Sequence, residues 1–276
     1  MLSFALIIIS LFLYGLESNI FKDASGDVLS IYDSIVYYPL HSILYIVLGL
    51  PFLTTSIPLI VTDWRFGLLI VTETLNSLGI LWLLRDTNAT VSVAILGTAN
   101  ISAALFIDHS VWVFVLINVV CLGVYLYQSK NSLSRIGWFS SLVLIFIPAA
   151  ISAKLLTVFT ESVGNAMAVF GMATLVPSLL AFLIFMRRIR FKNAKPFVRS
   201  AAISAVAGFI CFYAFSIATS PAAALIALSF ECVMTEISAY IFKDQSNLYL
   251  GRKSKLQMTS LLVISLSATL SVLLHT

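Results

Sequence analysis

Residues 163–185 read VGNAMAVFGMATLVPSLLAFLIF, twenty-three consecutive positions without a charged side chain. A helix that crosses a bilayer needs about 20 mostly apolar residues, so the solvent this stretch asks for is lipid. On either side of it, nine more stretches read the same way: approximately 2–21, 34–52, 64–84, 88–107, 110–128, 136–157, 197–217, 221–242 and 256–274. Connections as short as Asp108-His109 and Thr219-Ser220-Pro221 force consecutive helices to lie antiparallel and adjacent. The longest polar segment is the basic stretch from Arg187 to Arg199. The expected architecture is an all-α polytopic membrane protein of about ten transmembrane helices.

Composition agrees with that reading. Of 276 residues, 60% are hydrophobic and 10% charged, and the mean hydropathy is +1.04. A soluble domain carries roughly 25% charged residues, so a soluble enzyme, a disordered chain and a nucleic-acid binder are excluded. The net charge of +4 reflects the Lys and Arg that membrane proteins gather in cytoplasmic loops. Residues 31–62 are too long for one span and too short for two. Pro39, Pro51 and Pro58 break them into a kinked helix followed by an interfacial turn. The first stretch reads as a helix of the mature protein and not as a signal peptide: no Lys or Arg precedes its apolar core and no Ala-x-Ala site follows it.

The two halves resemble each other. Ala104-Leu105-Phe106-Ile107-Asp108-His109-Ser110 closes the fourth stretch, and Tyr240-Ile241-Phe242-Lys243-Asp244-Gln245-Ser246 closes the ninth. Each is followed by one more apolar span, which suggests two five-helix repeats, 1–130 and 131–276. An odd number of spans per repeat inverts the second copy in the membrane, an arrangement that recurs in transporters with a site at the repeat interface.

Two segments carry a resemblance to a known family. Leu13-Tyr14-Gly15-Leu16-Glu17-Ser18-Asn19-Ile20-Phe21-Lys22 is similar to the opening helix of the EamA-like ten-helix members of the drug/metabolite transporter superfamily, with Tyr14 in place of a Trp and two extra residues before Ser18. The ninth stretch, Ser220-Pro221-Ala222 through Phe230-Glu231-Cys232 to Phe242-Lys243-Asp244, resembles that family's last-but-one helix. Cys232 stands there for a Pro after the mid-span Glu, and Asp244 stands near a terminal Glu. The resemblance implies a secondary transporter of small metabolites, often amino acids or amphiphilic compounds. It also implies a cavity between the repeats, with the fifth and tenth helices peripheral.

The acidic residues divide by depth. All seven Asp fall in connections or at span ends, whereas Glu17, Glu73, Glu231 and Glu236 fall inside spans. A carboxylate at the bilayer centre costs about 2.5–3.5 kcal/mol even on the lenient insertion scale. Low dielectric favours the neutral form of a carboxyl, so such a group can exchange a proton during transport. Glu231 and Glu236 lie about 140° apart around one helix and do not share a face. Glu231 matches the family's mid-span Glu, and Glu73 sits among Thr72, Thr74 and Asn76. Glu17 lies toward the end of its span, within reach of interfacial water. Each of the four is weighed against a purely structural interhelical hydrogen bond, with function favoured for Glu231 and Glu73 and the balance even for the other two. His41 stands near a position where family members carry Arg and could titrate near neutral pH, although a structural hydrogen bond is an equal reading. Asn76, Asn100, Asn165 and Tyr213 are cavity candidates whose plain alternative is interhelical bonding. Lys154 is expected to snorkel to the headgroups. Most other Tyr, Phe and Trp read as lipid-facing or interfacial. Ser204 with Gly208, and Gly164 with Ala168, read as close-packing pairs.

Fourteen of the sixteen Lys and Arg fall in connections after odd-numbered spans, and only Arg65 and Lys154 fall opposite. The positive-inside rule then places both termini outside, whereas the resemblance implies both inside. No His-Glu-x-x-His, Gly-rich phosphate loop or Gly-x-Ser-x-Gly elbow occurs. Cys121, Cys211 and Cys232 read as small core residues and not as metal ligands or disulfides. No enzyme activity, cofactor, metal or nucleic acid is expected. The expected partners are the bilayer of the cell (inner) membrane, a small-molecule substrate, and protons or another coupling ion. Three readings stand: a secondary transporter or exporter of a small metabolite, a flippase for a lipid-linked substrate, and a non-transporting scaffold or accessory subunit.

Overall fold

A computed structural model of the chain describes residues 2–26, 35–86, 89–128, 142–159, 162–189, 195–241 and 255–275. All regular structure among them is helical. The α-helices run α1 Leu2–Gly26, α2 Tyr37–Gly49, α3 Ile57–Thr62, α4 Trp64–Asp86, α5 Ala89–Ala104, α6 Trp112–Gln128, α7 Ile147–Thr157, α8 Val163–Phe185, α9 Lys195–Ser216, α10 Pro221–Ala227, α11 Phe230–Ile241 and α12 Lys255–His275.

Among the described residues, six segments are long and apolar enough to cross a membrane: Leu2–Phe21, His109–Gln128, Val163–Arg188, Lys195–Ser216, Pro221–Ile241 and Lys255–Leu274. That is fewer than the ten expected, counted over the described residues. Tyr37–Phe52, Val93–Ala104 and Val143–Thr157 are apolar but short. Pro51 ends the first of these in a 3₁₀ turn, Leu50–Phe52. A π-helical turn, Leu142–Phe146, opens the last. Trp64–Asp86 is a further helix of 23 residues, with Glu73 at mid-helix. Of the region 31–62, the described residues from 35 on form one helix, the 3₁₀ turn and the short α3, whose Pro58 occupies the first helical turn. There the missing proline N–H leaves no intrahelical bond unmade. At the foot of α4 the Arg65 guanidinium pairs with Asp63 at 2.6 Å and holds that half-buried carboxyl below the usual carboxylate range.

Large apolar side chains such as Trp64, Phe106, Tyr127 and Leu274 point outward, as lipid-facing surface does. The interior is built instead from Ala, Ser and Gly, which let helix backbones approach. A Cβ on Gly15 would meet the backbone of Thr235, and one on Gly208 would overlap the Tyr45 ring. Accordingly α1 lies against α9 and α11, α2 against α8 and α9, and α6 against α12, while α4 and α5 flank Leu142–Thr157. The Pro221–Ile241 segment is the most enclosed: 78% of its apolar window is buried, against 28–50% for the other five. It is the central rod of the bundle.

Two predicted packing pairs fall at such contacts. Ser204 lends its carbonyl to the Tyr45 hydroxyl at 3.0 Å, one turn from Gly208. A Cβ on Gly164 would collide with the Phe52 backbone. Asn165 is buried but turned to a neighbouring loop and not to a central space. Its Oδ1 accepts from the backbone N–H groups of Thr54 and Thr55 at 3.0 and 3.2 Å, and its amide nitrogen donates to both threonine hydroxyls. The first copy of the repeated Phe-x-Asp-x-Ser motif is a local cap, with Asp108 accepting from the Ser110 N–H at 2.8 Å. The second copy, from Phe242 onward, lies outside the described residues, as do many of the basic connections that set the expected orientation.

Candidate functional site: a carboxylate-lined central cavity

A cavity of about 310 Å³ lies between the helices, lined from α1, α2, α4, α5, α7, α8, α9, α10 and α11. This is the low end of the size range of small-molecule sites. Three of the four in-span carboxylates open onto it: Glu17, Glu73 and Glu231. Glu17 is 9% exposed. It accepts a hydrogen bond from Ser200 Oγ at 2.9 Å, so it faces inward and not the interfacial water expected of it. Glu73 follows Thr72, whose hydroxyl meets Ser152 Oγ at 2.9 Å. Glu231 receives no hydrogen bond or ion pair from any described residue; its nearest charged neighbour is Glu17.

Glu231 is poised by a break in the central rod. Helix α10 stops at Ala227, and α11 restarts at Phe230 with Glu231 in its first turn. Across the break the backbone tightens to three-residue bonds, Ser229 N–H to the Ile226 carbonyl at 3.0 Å and Glu231 N–H to that of Leu228 at 3.0 Å. The Ser229 hydroxyl donates to the Ile226 carbonyl at 2.7 Å and lies 3.1 Å from Asn118 Oδ1. The positive end of the α11 dipole thus sits at the carboxylate. Hydropathy alone runs 221–242 as one helix, because Cys232 occupies the place where a proline would have announced a break.

Glu236 lies elsewhere. One turn further along α11 it accepts from the Tyr125 hydroxyl at 2.7 Å, away from the cavity. The other candidates divide too. His41, Asn76 and Asn100 line the cavity, whereas Tyr213 is 42% exposed on the outer face of α9. Lys154 does not simply reach outward: its Nζ donates to the Phe106 carbonyl at 2.7 Å, tying α7 to the end of α5. Cys211 is at the cavity wall, while Cys121 and Cys232 are not among its lining residues.

The cavity also holds an aromatic cluster that the sequence did not announce, since most aromatics there read as lipid-facing. Tyr37 stacks on His41 with ring centres 5.1 Å apart, His41 contacts Tyr45 at 4.4 Å, and Phe170 lies 5.1 Å from Tyr45. All four line the cavity. A faint signal exists: Tyr37, His41 and Tyr45 recur every four residues, which places them on one helix face.

Comparison with known proteins bears on the fold alone. No protein-family profile matches the chain, and no curated protein matches it. A solved structure described only as "Crystal structure of protein" is similar over 98% of this chain and 96% of its own, with a TM-score of 0.64 at 10% sequence identity. The shared property is the arrangement of helices.

Proposed function

We propose that the chain is a secondary transporter of a small metabolite, such as an amino acid or amphiphilic compound, working by alternating access around the central cavity in the cell membrane. It moves its substrate and catalyses no reaction on it. The observation that carries the reading is a mid-bundle cavity holding three carboxylates. Such groups are costly inside a membrane and mark substrate or proton paths by default.

The proposed architecture is the ten-span inverted repeat of the drug/metabolite transporter kind. The helix neighbours support it. Exchanging α1 with Leu142–Thr157, α2 with α8, α4 with α9, α5 with α10–α11 and α6 with α12 maps the principal contacts onto each other. Thus α1 against α9 becomes Leu142–Thr157 against α4, while α2–α8 and α6–α12 map onto themselves. The polar contacts follow the same exchange: Glu17 of α1 with Ser200 of α9, and Thr72 of α4 with Ser152 of α7. A central cavity of this size supports a small solute over a lipid-linked one, and an open interior speaks against a purely structural subunit.

The test is reconstitution in proteoliposomes with a substrate found by screening metabolite pools for thermal stabilisation of the purified protein. Glu231→Gln is expected to abolish pH-dependent uptake while the variant melts as the parent does. Unchanged pH-dependent uptake would remove Glu231 from the coupling step.

A further inference from the structure

Three acceptors open onto the cavity without a donor from the described residues. The Glu231 carboxylate, 9% exposed, receives no hydrogen bond from the described residues. Asn76, also 9% exposed, has its Oδ1 buried without a partner. Tyr14 adds a third. The Tyr45 hydroxyl spends its one proton on the Ser204 carbonyl at 3.0 Å. The 2.9 Å contact between the two phenols must therefore use the proton of Tyr14. The Tyr14 oxygen then has only lone pairs to offer the cavity it lines. Among the described residues no Lys or Arg lines that cavity, so none of them meets these acceptors with a fixed charge.

The remaining wall is aromatic. Tyr37, His41, Tyr45 and Phe170 form a run of contacting rings, and Phe212 extends it from Phe170 at 6.2 Å. Ring faces attract cations, more strongly once the pair is desolvated. A metal ion is a poor match for this chemistry. Among the described residues no three His, Cys, Asp or Glu converge closely enough to hold one.

We infer that the substrate class is an organic monocation: an alkylammonium with N–H groups for Glu231, Asn76 and Tyr14, and an apolar or aryl body for the ring-lined wall. This deepens the transport reading, on which it rests, by naming what the same cavity takes. A buried carboxylate without a partner is costly, and pairing it with a hydrogen-bonding cation relieves that cost. An anionic metabolite would instead meet three carboxyl groups in a site whose described lining holds no Lys or Arg. A zwitterionic amino acid fits only if its carboxylate stays outside the cluster.

Binding to the purified protein tests this without requiring transport. The probes are phenethylammonium, its uncharged counterpart 2-phenylethanol, and the anion phenylacetate, each followed by thermal shift and by calorimetry. Phenethylammonium alone is expected to raise Tm in a saturable way. Its Kd is expected to weaken about thirtyfold or more in Glu231→Gln, the usual loss when one partner of a buried charge pair is removed, and to stay unchanged in Glu236→Gln on the other side of α11. Equal stabilisation by the alcohol or the anion overturns the inference on wild-type protein alone, whatever the variants' folding. So does an unchanged Kd in Glu231→Gln. Metabolite flux without ammonium binding would sink this inference and leave transport standing. Saturable, Glu231-dependent ammonium binding with no flux of any solute would do the reverse.

Discussion

Asn118 sits fully buried where three helices meet. Its amide nitrogen donates to the Phe114 carbonyl and to Ser267 Oγ of α12, each at 2.8 Å, and its Oδ1 faces Ser229 at the break in the central rod. Interhelical bonds in membranes average about 0.6 kcal/mol and reach about 1.7 kcal/mol. Asn118→Ala is therefore expected to lower unfolding stability in detergent by about 1–2 kcal/mol, measured by denaturant titration; no loss would mean that Ser229 and Ser267 re-pair on their own. Glu17, Glu73 and Glu231 are legible from sequence because a carboxylate in an apolar run has no cheap explanation. The opposed placement of Glu231 and Glu236 follows from helix geometry alone. The acceptor surplus around Glu231 is not legible. It depends on which proton Tyr45 spends and on where Asn76 turns its amide, and both are set by neighbours from distant parts of the chain.

Between helices, close approach is decided by individual glycines. Gly208 makes room for the Tyr45 phenol, so Gly208→Ala forces α2 from α9 and pushes the Tyr45 hydroxyl off the Ser204 carbonyl. Overpacking of this kind costs about 1–3 kcal/mol. A Cβ added to Gly123 on α6 would have nothing within 4 Å, and Ala there gains about 0.5–1 kcal/mol of helix preference. Melting both variants is expected to show opposite signs; a common sign would mean that packing is not what distinguishes the two sites. Helix positions are largely readable from hydropathy, because lipid demands long apolar runs. Their lengths are less so. Pro51, the π turn at 142–146 and the break at 228–229 shorten or split runs that look continuous in composition.

For the molecule as a whole, alternating access requires the cavity to meet water from each side in turn. Cys211, 8% exposed at the cavity wall, reports on that. With Cys121→Ser and Cys232→Ser as background, a charged methanethiosulfonate reagent is expected to label Cys211 from either face of a sealed proteoliposome. Labelling from one face only would contradict alternation, and labelling from neither would contradict solvent access. In the sequence, the two-repeat plan rests on span counting and one weak motif. Its better support, the matched neighbour pairs of helices, lies beyond sequence reading, because many of those contacts join residues more than a hundred positions apart.

The ties made by Asn165 have a bearing on how the protein is made. This one amide holds the backbone of Thr54 and Thr55, yet it leaves the ribosome 111 and 110 residues after them. Helices α1 and α2 likewise find their main neighbours in α8, α9 and α11. The early helices must therefore wait in the bilayer, inserted but unpartnered, until the second half of the chain arrives. During synthesis the N-terminal half is a client in need of protection, and its survival depends on how fast the ribosome delivers the rest.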